Sequence, residues 1–130
     1  MLSCDFLCDI AICINSDTLN EMDQRKLLSF LGDSRSRLQS FPEDARRAAG
    51  HELDLVQTGR EPTDWKPMPT IGKGVREIRI KERAGAFRVI YVASIGAKIY
   101  VLHAFQKKTQ KTAQRDIDLA KIRLGQIGKD

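Results

Sequence analysis

The residues best equipped for chemistry in this chain are its cations. Between Lys73 and Lys111 stand ten basic residues (Lys73, Arg76, Arg79, Lys81, Arg83, Arg88, Lys98, Lys107, Lys108 and Lys111) against two acids, Glu77 and Glu82. Such an excess attracts polyanions by Coulomb steering and counterion release, whatever their base sequence, and RNA is the ligand class it points to. Lys73, Lys81, Arg83 and Lys98 read as an ordinary solvated surface. Arg88 is different, because it interrupts the apolar run Phe87–Ala93. A guanidinium there needs either a structural carboxylate, for which Glu77 on the neighbouring strand is the candidate, or the phosphate of a ligand.

The remaining candidates flank that arginine. His103 falls in the alternating set Ile99, Val101, His103, Phe105, Lys107, where a packed, hydrogen-bonded core histidine competes with a catalytic one. Lys107 and Lys108 directly follow the last apolar run, and adjacent residues of an extended chain point to opposite sides, so one of the two faces any site on the sheet. Arg76, Arg79, Tyr91 and Lys111 complete an RNA-contacting set. Other catalytic apparatus is missing from the pattern. Gly72-Lys73-Gly74 lacks the spacing and the following helix of a phosphate-binding loop. Cys4, Cys8 and Cys13 match no common zinc spacing, so no metal or other cofactor is expected.

These side chains must be positioned by elements that the periodicity outlines. Lys26–Leu31 reads as a strand closed by Gly32-Asp33, and a brief helical piece carrying Leu38 follows Ser34. Pro42, Glu43 and Asp44 are helix-start signals, Ala45, Ala48, Ala49, Leu53 and Val56 form one stripe, and Gly59 is the stop; the spacing predicts a helix over roughly 42–58. Residues 59–74 hold three prolines and three glycines, which predicts a connection without regular structure. Three strands follow, over 75–80, 87–93 and 98–105, with glycine in each gap as hairpins require. The middle one is apolar on both alternating sets and is expected to be covered on both faces. Thr112 is the expected cap of a last helix carrying Ala113, Ile117, Ala120, Leu124 and Ile127. The fold class is therefore α+β: an N-terminal strand and helices packed on a twisted antiparallel sheet, with a C-terminal helix.

A chain of 130 residues, 42% hydrophobic and 30% charged, fits one globular domain without a membrane span. All three cysteines lie within the first 13 residues and cannot staple the body, which argues against a secreted scaffold and for the cytoplasm. Segment 1–21 carries four acids and no Lys or Arg. Removing it changes the formal charge from 22 − 17 = +5 to 22 − 13 = +9. That break predicts a non-core extension over 1–21 and a functional domain over 22–130 that begins at Met22.

Several pieces together resemble a known family: Gly32-Asp33-Ser34-Arg35, Phe41-Pro42, Gln57-Thr-Gly59, Lys66-Pro67, Val75-Arg-Glu-Ile78, Phe87-Arg-Val-Ile-Tyr91, Tyr100-Val-Leu-His-Ala-Phe-Gln-Lys-Lys-Thr109 and Asp118-Leu-Ala-Lys-Ile-Arg123. From about Arg25 to Ile127 the chain resembles the phage-derived, HigB-like branch of the RelE/ParE toxin superfamily. The resemblance implies a RelE-like fold and the toxin of a type II toxin–antitoxin pair. It further implies a metal-free, ribosome-dependent mRNA endonuclease, with a small helix-turn-helix antitoxin, the ribosome and mRNA as partners. In that frame Arg88 matches the strand arginine that contacts the scissile phosphate, and Lys107 or Lys108 the basic position after the last strand. Charge crowding adds a mechanism: a lysine among other cations has its pKa pushed down, which suits Lys107 or Lys108 as the base, and an exposed His103 would supply the leaving group's proton. Two other readings share the fold: a ParE-like inhibitor of gyrase without nuclease activity, and a non-toxic phage-derived RNA-binding protein.

Overall fold

The computed structural model describes residues 26–95, 98–108 and 112–127, so the predicted extension over 1–21 and the candidate Lys111 lie outside the described residues. The elements are β1 (Leu27–Phe30), α1 (Ser34–Gln39), α2 (Glu43–Gln57), β2 (Trp65–Pro67), β3 (Val75–Glu82), β4 (Gly85–Ile95), β5 (Lys98–Lys107) and α3 (Gln114–Gln126). The strands form a five-stranded sheet in the order β1-β5-β4-β3-β2. The three central strands make antiparallel hairpins, and β1 adds to the edge of β5 in parallel, Leu27 opposite Lys98 and Phe30 opposite Val101.

Local chemistry accounts for the helix boundaries. Pro42 precedes α2 in an extended conformation, with Glu43 and Asp44 in its first turn. At its other end Gly59 takes φ +86°, and the amides of Gly59 and Arg60 turn back to the carbonyls of Val56 and Leu55, the paired closure that a left-handed glycine permits. The stripe Ala45, Ala49, Leu53 and Val56 lies against one face of the sheet, over Ile78, Ile80, Phe87, Val89, Tyr91, Ile99 and Val101. On the opposite face, Ile117, Ala120, Leu124 and Ile127 of the α3 region pack on Met68, Ile71, Val75, Ile90, Val92, Leu102 and Phe105. β4 is thus buried on both sides, as its doubly apolar pattern requires.

Three expectations are corrected. The segment 59–74 is not wholly irregular, since β2 pairs with β3 through Trp65–Ile78, Lys66–Glu77 and Pro67–Arg76. An edge strand tolerates proline because one of its sides has no ladder to serve. Thr112 does not cap α3. Ala113 occupies that position without a side-chain bond, and the Thr112 hydroxyl instead donates to Glu77 Oε2 at 2.8 Å. The set Ile99, Val101, His103, Phe105, Lys107 does not share a face either. Tyr91 stands opposite Val101 while Ile90 stands opposite His103, so Leu102 is an extra residue that shifts the alternation. Ile99 and Val101 face α2, whereas His103, Phe105 and Lys107 face the side of α3.

Candidate nucleic-acid interface

Alternation along β2, β3, β4 and β5 brings a cluster of charged side chains to the α3 side of the sheet, with the exposed Lys81, opposite Ala86, on the same face. Arg79 stands directly opposite Arg88, Lys66 opposite Glu77, and Lys107 opposite Ala86. They lie past the N-terminal end of α3, which is fixed there by Thr112 on Glu77 and by Asp116 on His103.

Two guanidinium groups facing each other across a ladder repel, and one carboxylate relieves this. Glu77 is fully buried, with Oε1 3.7 Å from Arg88 Nε and 4.0 Å from Lys66 Nζ. The Arg88 side chain is 5% exposed, and its Nη1 donates to the Phe87 carbonyl at 3.0 Å. The pairing with Glu77 is therefore present, but it is loose. Glu77 Oε1, Arg79 Nε and Arg88 Nε are all buried without a hydrogen-bond partner. Buried polar atoms normally find partners, and three unpaired ones of opposite charge in one place describe a site built to take another polar group.

The same crowding acts on proton affinities. Burial pushes the Arg88 pKa down while Glu77 pulls it back up, and a guanidinium stays charged throughout. Lys107 is held below the usual lysine range, first by desolvation and then by the Arg88 charge. This surface presents a pair of fixed cations and an amine of lowered proton affinity, an arrangement with the chemistry to hold an anion.

The other candidates fall elsewhere. Lys108 follows the end of the strand and lines a separate groove of about 640 Å3 along α3, with Arg37, Phe105, Arg115 and Ile122. His103 is fully buried, stacked on Phe105 with centroids 4.9 Å apart and bonded through Nε2 to Asp116 at 2.7 Å. It has no access to a ligand at the surface, which corrects the expectation of an exposed proton donor. Tyr91 is fully buried and cannot stack on a base, and Arg76 lies on Tyr91's face of the sheet, its guanidinium 4.1 Å over the Trp65 ring and 3.8 Å from Glu61. Both corrections follow from alternation, which sends Arg76 and Tyr91 to the α2 side. Sequence reasoning missed Lys66 and Thr112 as members of the cluster. Three residues of β2 are too few to show a period, so only the Lys66-Pro67 motif marked the place. Among the described residues no group of three His, Cys, Asp or Glu side chains stands together that could hold a metal, and no helix is long and apolar enough to cross a membrane.

The family model described as phage derived protein Gp49-like (DUF891) matches residues 36–125, which contain α2, β2–β5, the charged cluster and nearly all of α3. No curated protein matches the chain. Spanning well over half of the sequence, that match shows that the chain belongs to the phage-derived Gp49-like family, a toxin-like family within the RelE/ParE-like clan.

Proposed function

We propose that this protein is the toxin of a type II toxin–antitoxin pair and acts in the cytoplasm as a ribosome-dependent endonuclease on mRNA, with cations of its own in place of a metal. The observation that carries this reading is the Arg79–Arg88 pair, opposed across the β3–β4 ladder with a buried Nε on each that makes no hydrogen bond, beside Lys107. Membership in a clan of toxins supports it. The cognate antitoxin, a small helix-turn-helix protein, would neutralise it.

The chemistry follows from charge. Cleavage removes the proton of an RNA 2′-hydroxyl, forms a bond from that oxygen to the adjacent phosphorus, and breaks the bond to the 5′-oxygen, which takes up a proton as it leaves. Negative charge grows on the phosphoryl oxygens along the way. Arg88 and Arg79 are fixed before the substrate arrives, so they stabilise that charge with little reorganisation. Lys107, its pKa lowered by burial and by Arg88, is the base for the 2′-hydroxyl. Lys66, half-exposed on the same face, is the group placed to protonate the leaving oxygen.

The test is primer-extension mapping of mRNA shortly after induction of the protein, beside its Arg88→Ala form and beside cells in which translation is blocked. Cuts at in-frame codon positions that vanish in both controls establish the activity. Growth arrest with intact mRNA and DNA damage signals would transfer the protein to the gyrase-inhibiting reading, and intact mRNA with normal growth would leave a non-toxic binding protein.

A further inference from the structure

The opposite face of the sheet carries a second cluster that the proposed cleavage does not use. Below the end of α2 a cavity of about 280 Å3 is lined by Lys26, Arg60, Glu61, Arg76 and Tyr91, together with small residues including Gly59 and Gly74. The left-handed glycine that closes α2 reverses the chain there and brings Arg60 to the rim. Arg76 arrives from β3 already oriented, because its guanidinium lies 4.1 Å over the Trp65 ring. Stacking occupies the plane of a guanidinium and turns its N–H edge toward polar neighbours, here Glu61 and the Tyr91 hydroxyl.

Charge and hydrogen bonding agree on what is missing. Lys26, Arg60 and Arg76 against Glu61 leave two positive charges in excess around this small space. Arg76 meets Glu61 only at 3.8 Å, and among the described residues neither Lys26 nor Arg60 is ion-paired. At the wall, the buried Tyr91 hydroxyl has the Arg76 guanidinium beside it, and its own proton has no acceptor among the described residues. Burial raises its pKa against the pull of Arg76, so it remains a donor. A buried donor, two cations without an ion pair among the described residues and a third held between Tyr91 and Glu61 converge on one cavity.

The geometry points to a second anion site, separate from the cleavage face, that takes one phosphate-bearing small molecule of about mononucleotide size. Two excess charges match a phosphate dianion better than a carboxylate, since a dianion can engage Arg60 and Arg76 together. The volume lies just below the usual range of ligand cavities and suits a ligand no larger than a mononucleotide. Arg60, Lys26 and the edge of Arg76 hold the phosphate, and an oxygen of the ligand accepts from Tyr91.

The experiment titrates the full chain with AMP, and separately with inorganic phosphate, by calorimetry. Saturable one-to-one binding of AMP at millimolar concentration or tighter, with phosphate weaker, is expected. Arg60→Gln should weaken AMP by about tenfold, the loss of one charge-assisted contact. Tyr91→Phe keeps the ring's packing and should weaken AMP several-fold with an unchanged thermal melt. Arg88→Ala, on the other face, should bind AMP as the parent does. Absence of saturable binding by both probes would overturn the inference. So would an affinity that falls with Arg88→Ala but not with Arg60→Gln, which would assign the anion to the cleavage face. Phosphate binding as tightly as AMP would overturn the mononucleotide size.

Discussion

Glu77 and Arg88 should prove energetically coupled, and a double-mutant cycle measures by how much. At 3.7 Å the gross Coulomb attraction at an effective dielectric near 20 is about 4 kcal/mol. The net value is smaller, because both groups are buried and the carboxylate is shared with Lys66 and Thr112. Glu77→Gln keeps the volume and an acceptor for Thr112 but leaves Arg79 and Arg88 opposed without a counter-charge, and should cost about 3–5 kcal/mol. Arg88→Met leaves the buried carboxylate with Thr112 and the more distant Lys66, and should cost about 2–4 kcal/mol. Against a total stability of about 5–15 kcal/mol both variants remain foldable. The double variant should be more stable than the sum of the two losses implies, by about 2 kcal/mol. Urea unfolding, followed by circular dichroism and by the single tryptophan, Trp65, reads all four corners. Additivity within about 0.5 kcal/mol would show that the two charges act independently and would refute the reasoning.

Other consequences are simpler to read. Lys107→Ala should reduce mRNA cleavage by about 100-fold or more, the usual contribution of a positioned base, whereas Lys108→Ala, in the separate groove along α3, should change it little; equal losses would defeat the assignment of the base to Lys107. In a reconstituted cleavage assay the rate should rise with pH through a midpoint below the ordinary lysine value of 10.5, and a Lys107→Arg protein should lack that limb. His103 is buried with its pKa lowered below 6.5 by desolvation, so the unfolded chain binds its proton more readily than the folded one. Stability should therefore be fully present above about pH 6.5 and fall as pH drops through the window below it, and His103→Asn should flatten that dependence. Gly32→Ala should cost about 2 kcal/mol or more in thermal unfolding. Gly32 sits at φ +58°, and a β-carbon there would displace the Arg123 guanidinium from Asp33 and from the Leu102 carbonyl.

The parts of the fold that were legible in the sequence are those set by short-range chemistry. Pro42, the acids after it, the alanine and leucine stripe and Gly59 define α2 within a residue at each end, because every one of those signals acts over a single turn. The double apolar pattern of β4 likewise announced its burial on both faces. What escaped depends on contacts distant in sequence. β2 exists only because β3 offers a ladder to Lys66, and Thr112 turns away from α3 because Glu77, 35 residues earlier, lacks a donor. For the candidate site, alternation within β3 already separates Arg76 from Arg79, yet it does not say which of them shares a side with Arg88. That answer required the register Arg79 opposite Arg88, which no local pattern encodes.

The extra residue at Leu102 has a consequence for how the two sides of the molecule can change. Upstream of it, β5 contributes Ile99 and Val101 to the α2 core and carries the pairing with β1; downstream, the same strand delivers His103, Phe105 and Lys107 to the other side. The bulge is a phase inverter within a single strand, and Lys107 owes its position beside Arg88 to a backbone irregularity five residues away. Losing that irregularity would leave the β1 pairing in place but exchange Lys107 for its neighbour and turn His103 and Phe105 toward the α2 core, where Ala104 now sits. The charged face and the two cores are therefore tied to one another through the register of a single strand.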